Sequence, residues 1–164
     1  MESLNNEIKL KINQYRKNGL DISELINNKT LKGADLHDCI IRNFNPTEKD
    51  LRGINLSGCL IGGEGIITQI CDKDFRGSEF IKTKFTGRTF ARRSDFRGSN
   101  FQNAELPYFE YQKADLRECN FCEILIRLGV AYGLGAKIDK NIFQDLGKNW
   151  GIEIIFKDNN IGEK

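Results

Sequence analysis

The large apolar residues of this chain fall five apart. Phe75, Phe80, Phe85 and Phe90 form the clearest run, and the phrase Asp74-Phe75-Arg76-Gly77 returns as Asp95-Phe96-Arg97-Gly98. Upstream the same position holds Leu31, Leu36, Ile41, Leu51, Leu56, Ile61 and Ile66; downstream it holds Phe101, Leu106, Tyr111, Leu116, Phe121 and Ile126. A period of five fits neither a helix face nor an alternating strand, so the pattern predicts a repeat architecture. Two residues before each centre the side chain is often small (Ala34, Cys39, Cys59, Ser78, Thr83, Ser94, Ser99, Ala104, Ala114, Cys119). The residue just before it is often Asp or Asn.

The triplets Ala34-Asp35-Leu36, Ala104-Glu105-Leu106 and Ala114-Asp115-Leu116 resemble the pentapeptide-repeat family, whose consensus is A(D/N)LXX, over about the middle three-fifths of the chain. The resemblance implies an all-β solenoid: a right-handed quadrilateral β-helix with four pentapeptides per coil. Coils would stack at about 4.8 Å, with the large and small positions inward and the other three in water. The core centres expected are Leu36, Leu51, Leu56, Phe75, Phe80, Phe85, Phe90, Phe96, Phe101, Leu106, Leu116 and Phe121. Roughly twenty centres from Leu31 to Ile126 make about five coils, a rod about 25 Å long. No coil buries its own apolar ring, so stability requires several.

Two steps break the period: four residues from Ile66 to Ile70, and six from Phe90 to Phe96. Taken as cancelling, they predict one aligned face of Leu36, Leu56, Phe75, Phe96 and Leu116. Pro46 lands on a centre, so either Phe44 fills that gap or Asn45-Pro46-Thr47 loops out. Gly62-Gly63-Glu64-Gly65 lacks the GK[ST] ending of a phosphate-binding loop and is read as a tight corner beside the short step.

The ends differ from the middle. Ile8, Ile12 and Tyr15 lie at helical spacing with Gly19 as a stop, and Ile22, Leu25 and Ile26 continue the stripe. Residues 1–30 are expected to form a helical cap on a β-helix spanning 31–126. Residues 127–164 are expected to form a second cap, with Asp139 N-capping a helix over Lys140–Lys148 and a strand following over Gly151–Phe156. A cap protects the unpaired backbone of a terminal coil. The alternative for this end is a homodimer seam through residues 139–157, with Trp150 and Phe156 in it.

Composition narrows the function. The first residues lack a secretory pattern and the longest apolar stretch is too short to span a bilayer, so a soluble cytoplasmic protein with no membrane partner is expected. Five cysteines make no disulfide framework; Cys39 and Cys59 fall on the small inward position. Cys119 and Cys122 look like half a zinc site, but they straddle an inward centre and the single histidine, His37, lies several coils away. No metal and no cofactor are expected. There is no triad signal, and carboxylates on flat outer faces lack a cleft that would shift their pKa, so an enzyme is not expected.

Charge then gives the candidate surface. The net charge is +2. In a coil of about twenty residues, Asp74, Asp95 and Asp115, with Asp35, would stack as one column beside Arg76, Arg97 and Arg117, a lattice of weak exposed ion pairs. Between Lys73 and Arg97 the balance tips basic. Arg88 falls on a small inward position, and Arg92 and Arg93 fall in the six-residue step, where a bulge would push both guanidinium groups outward. Arginine suits bidentate binding of carboxylate or phosphate. Lys84, Arg88, Arg92 and Arg93 are therefore the candidate partner-binding set; either of the last two folded against a carboxylate would count against it. The function expected is a non-enzymatic, rigid interaction module for another protein, acidic by complementarity. The resemblance implies a runner-up, since quinolone-resistance members of the family mimic B-form DNA and bind DNA gyrase or topoisomerase IV. Such mimicry takes a strongly acidic surface, whereas acidic and basic residues balance over 31–126. Direct nucleic-acid binding is disfavoured because the aromatic residues belong to the core.

Overall fold

The computed structural model describes residues 2–126 and 136–139. In chain order the elements are β1 (Glu2–Ser3), α1 (Asn6–Lys17), α2 (Ser23–Ile26), β2 (Lys29–Thr30), β3 (Ile40–Ile41), β4 (Leu60–Ile61), β5 (Ile67–Gln69), β6 (Lys84–Phe85), β7 (Arg88–Phe90), β8 (Glu105–Leu106), β9 (Phe109–Glu110) and β10 (Leu125–Ile126). Every strand pairing among the described residues is parallel. One sheet runs β3-β4-β6-β8-β10, a second β5-β7-β9, and β1 pairs with β2. Isolated parallel bridges such as Asp95 to Asp115 and Asn100 to Asn120 join the remaining faces of successive coils. The chain is a parallel β-solenoid.

Turn chemistry at the corners explains the five-residue phrase. The carbonyl of each of several centres accepts the N–H three residues on: Leu31 from Ala34 at 2.9 Å, Phe80 from Thr83 at 3.1 Å, Phe96 from Ser99 at 3.0 Å. The third residue of each turn has positive φ, the requirement of a type II turn. It is glycine at Gly33, Gly77 and Gly98, and a strained L-residue at Asp72, Lys82, Arg93, Asn103 and Lys113, with φ from 57° to 59°. The glycine of the Asp-Phe-Arg-Gly phrase thus fills a positive-φ position without the strain an L-residue bears there.

The small inward positions do more than fit. Ser78 Oγ donates to Leu51 O at 3.2 Å, Thr83 Oγ1 to Leu56 O at 2.7 Å, Ser99 Oγ to Phe75 O at 2.7 Å, and the thiols of Cys59 and Cys119 to Leu36 O and Phe96 O. Each bonds a buried centre carbonyl of the preceding coil; those of Leu51, Leu56, Phe75 and Phe96 already accept a turn N–H, so the side chain supplies their second hydrogen bond.

The register corrects the expected alignment. Asp50 pairs with Asp74 and Asn55 with Glu79, steps of 24 residues; Asp74 pairs with Asp95, a step of 21; Asp95 pairs with Asp115, a step of 20. Leu36, Leu56, Phe80, Phe101 and Phe121 therefore form one column, and Leu31, Leu51, Phe75, Phe96 and Leu116 the next. The two breaks do not cancel, because both lengthen the same corner. Ile66 is only half-buried and is not a centre; the chain runs from Ile61 directly to Ile70, with Thr68 in the small inward position. Gly62–Gly65 is accordingly an insertion and not a tight corner. It folds down on Gly87, where a Cβ would lie 2.5 Å from Ile66 O.

Phe90 is likewise not a core centre. It is half-buried; Ala91, fully buried, is the centre, Thr89 fills the small inward position, and Arg88 points outward. The positive φ of Arg93, two residues after Ala91, marks the same frame. The other expected centres from Leu36 to Phe121 are all buried. Their rings stack along the axis, Phe75 on Phe96 at 5.0 Å and Phe80 on Phe101 at 4.6 Å, and meet edge-on across it, Phe75 to Phe80 at 5.6 Å.

Of the two alternatives at residues 42–50, Phe44 fills the gap and is buried. The Lys73 ammonium holds this loop, donating to Pro46 O at 2.6 Å and Glu48 O at 2.9 Å, while the buried Glu48 carboxylate accepts the N–H of Leu31. At the N-terminal end α1 buries Ile12, its N-cap Asn5 accepts the Ile8 N–H, and Ile22 stacks on the β3 coil through a bond to Ile40 O. The helix and strand expected over 140–156, and the dimer seam with them, lie outside the described residues. Asp139 itself accepts the N–H of Glu118.

Replacing Phe80 by Ala should destabilise the fold by about 3–5 kcal/mol, the range for a buried ring. Phe90→Ala should cost only about 1–2 kcal/mol, since half-buried cation–π contacts contribute little each. Urea unfolding of the two variants measures the difference.

Candidate functional site

The acidic column is neutralised residue by residue. Its members are Asp50, Asp74, Asp95 and Asp115; Asp35 lies in the neighbouring column, bridged to Asn55, because the 24-residue coil shifts the count. In each coil the Asp carboxylate takes a bidentate contact from the Arg two residues on: Arg76 Nε and Nη2 at 2.9 and 2.7 Å, Arg117 at 2.9 and 2.6 Å. Arg52, Arg76 and Arg97 also lean toward the next coil, Arg76 Nε lying 3.7 Å from Asp95 and Arg97 Nε 3.8 Å from Asp115. The Arg76 and Arg117 hydrogen bonds hold the Asp74 and Asp115 carboxyls below the ordinary Asp value.

The basic corner is built differently from the pair of free guanidinium groups that its sequence suggests. Arg88 and Arg92 both lie over the Phe90 ring, 5.0 and 4.8 Å from its centroid. Both close on one carboxylate, Glu110, which the β7–β9 pairing sets beside Phe90. Glu110 is 4% exposed. Burial pushes its carboxyl up, but the Arg92 and Arg88 hydrogen bonds outweigh this and hold it below its usual value. Arg93 clasps Asp72 through two bonds of 2.6 Å, and Lys84 pairs with Glu105 at 2.7 Å. None of the four is a bare cation, and the corner as a docking site made of two unpaired arginines does not stand. The reason is register: Glu110 and Asp72 are far away in sequence and adjacent after one turn of the solenoid.

Beside this cluster the insertion creates a recess of about 620 Å³, lined by Gly63, Ile66, Ile67, Thr86, Arg88 and Tyr108 among others. Strand pairing stacks Ile67, Arg88 and Tyr108 as one outward column. Ile67 is 47% and Tyr108 46% exposed, and Leu60 on the adjoining face is exposed as well. Sequence reasoning missed this recess because Ile66 was counted into the core. The available signal was three glycines within four residues, Gly62, Gly63 and Gly65, which fit an added loop better than an uninterrupted five-residue count.

Among the described residues no cluster of His, Cys, Asp and Glu is placed to hold a metal, and no helix is long and apolar enough to cross a membrane. Cys119 is buried and Cys122 exposed, so the two thiols diverge.

No family model and no curated protein matches this chain. Solved structures do. The chain is similar to Rfr23, a pentapeptide repeat protein of the cyanobacterium Cyanothece 51142, at 23% identity over 66% of this chain and 62% of that one, with a TM-score of 0.39. The match thus spans less than two thirds of Rfr23. It is similar to alr5209, a pentapeptide repeat protein from Nostoc PCC 7120, at 12% identity over 79% and 94%, with a TM-score of 0.29. A third similarity is to QnrB1, a plasmid-mediated fluoroquinolone resistance protein, at 16% identity over 80% and 97%, with a TM-score of 0.25. The pentapeptide repeat of this chain is read in its own phrase and coil register.

Two outcomes follow from the charge geometry. A carboxyl pKa depressed by folding adds stability that is complete above its unfolded value, about 3.9 for Asp, and is lost as pH falls through the folded value. The urea midpoint should therefore stay level down to about pH 5 and drop below about pH 4, and the Asp74→Asn, Asp115→Asn double variant should drop less. Glu110→Gln leaves two stacked arginines without their counter-ion. Because both guanidinium groups are partly exposed, the loss should be about 1–3 kcal/mol, below that of a fully buried pair, as read by thermal or urea unfolding.

Proposed function

We propose that this protein is a non-enzymatic interaction module, a rigid rod that presents the recess beside the insertion to a protein segment with an apolar anchor flanked by carboxylates. The observation that carries the reading is the outward column Ile67–Arg88–Tyr108, which leaves large apolar surface exposed whereas the Asp–Arg ladder carries paired charges. A recess lined by aliphatic and aromatic side chains, with a few polar groups to orient the ligand, is the usual form of a docking site. Charge favours an acidic segment: the side chains of Lys84, Arg88 and Arg93 are each more than half exposed even while paired, so a partner carboxylate can reach them. The expected caps suit this role, since a closed rod keeps its own edges from pairing while one side stays available. Five unpaired thiols suit the reducing cytoplasm.

The DNA-mimic reading would need an uncompensated acidic face, and the aspartates of the ladder are each held by an arginine. The test is selection of displayed random peptides on the immobilised full chain. Enriched peptides should carry an aliphatic or aromatic residue next to Asp or Glu. Their binding should be lost in Ile67→Asp, Tyr108→Asp and reduced about tenfold in Arg88→Ala. Peptides that bind the recess variant as well as wild type would contradict the reading. Binding of gyrase subunits that survives the same substitutions would favour the DNA mimic.

A further inference from the structure

A second cavity shares no residue with the docking recess. It lies between α1 and the coil that follows β2, has a volume of about 420 Å³, and is lined by Lys9, Ile12, Asn13, Arg16, Lys32 and Asp35 among others. A helix laid across the end of a solenoid has the simple task of excluding water, which apolar side chains do best. Here the helix instead leaves a space walled by three cations.

The charge of this space is one-sided. Its carboxylate, Asp35, is already engaged, since Oδ1 takes His37 Nδ1 at 2.7 Å and Asn55 Nδ2 at 3.0 Å. Lys32 reaches Asp50 at 3.0 Å, but Arg52 holds that carboxylate bidentately. Arg16 donates to two neutral acceptors, Asn13 Oδ1 at 2.9 Å and Asp35 O at 3.3 Å, and its Nε is shielded from water with no hydrogen-bond partner. Concave sites lined by one sign of charge concentrate the opposite ion. Arginine with lysine is the usual donor set for carboxylate and phosphate oxygens.

We propose that this cavity is a binding site for a small organic anion bearing a carboxylate or phosphate group, held by Arg16, Lys9 and Lys32 with its carbon skeleton against Ile12. Bound there, the anion joins α1 to the first coils and stabilises the end of the rod by an amount that grows with the logarithm of its concentration once that exceeds the dissociation constant.

Calorimetric titration of the full chain with citrate and with inorganic phosphate, at fixed ionic strength, tests this. The result expected is saturable binding of one or both; which of them binds identifies the acidic group. Arg16→Gln should weaken binding about tenfold or more, the loss of a charged hydrogen bond. Asn13→Glu sets a carboxylate among the three cations from an exposed helix position and should abolish binding with an unchanged circular dichroism spectrum. Should Arg16→Gln disturb the helix, Lys9→Gln and Asn13→Glu remain decisive. No saturable binding of either anion, or binding unchanged in folded Asn13→Glu, overturns the proposal. Because the recess variant Ile67→Asp leaves this cavity untouched, it should bind the anion as wild type does.

Discussion

The inward stack of centre residues is the constraint on which the rest of this molecule depends. A single coil encloses too little apolar surface to be stable, and apart from its corner turns its backbone donors find partners in the neighbouring coils. The rings of Phe75, Phe80, Phe96 and Phe101 fix how those coils sit, because each is at once stacked along the axis and met edge-on across it. Corner turns, inward serines and threonines, and outer ion pairs all follow that placement. The left-handed residue comes two after most centres, though not after such centres as Ile61, Phe85 or Leu106; the small residue comes two before the next.

The outer surface inherits its regularity from the same stack. Where coils are twenty or twenty-one residues long, Asp meets Asp and Arg meets Arg from coil to coil, and the bidentate pairing within each coil offsets the repulsion along the column. Where a coil is longer, the surplus is expelled at one corner and the regular surface is interrupted. The recess, the cluster around Phe90 and the contact on Gly87 are all consequences of that surplus. Function on a solenoid is expected at such interruptions, since uniform faces offer a partner shallow relief.

Much of the fold was legible in the sequence because a five-residue apolar count is a property of the chain alone. The centres from Leu36 to Phe85 and from Phe96 to Phe121 needed no other information. The lengthened corner was harder to see, because Ile66 and Phe90 are apolar and continue the count by coincidence. The left-handed positions carry an independent count: Gly33, Gly53, Gly58, Gly77 and Gly98 each lie two residues after a true centre. At Ala91 that position is Arg93, so the glycine signal is silent where it would have displaced Phe90. The pairing of Arg88 and Arg92 with Glu110, and of Arg93 with Asp72, could not be read without the register, since the partners come together only across one full coil. The anion cavity was hidden for a similar reason. Lys9, Arg16 and Lys32 converge because α1 packs beside the coil that follows β2, a placement no local pattern encodes.

The central claim is the register across the long coil, and backbone NMR of the uniformly labelled protein tests it most directly. The account predicts interstrand nuclear Overhauser contacts linking Leu60 with Lys84 and Ile61 with Phe85, 24 residues apart, alongside contacts linking Thr89 with Phe109. Contacts of Leu60 with Phe80 instead would mean a uniform twenty-residue coil. That result would return Ile66 to the core and remove both the insertion and the recess that depends on it.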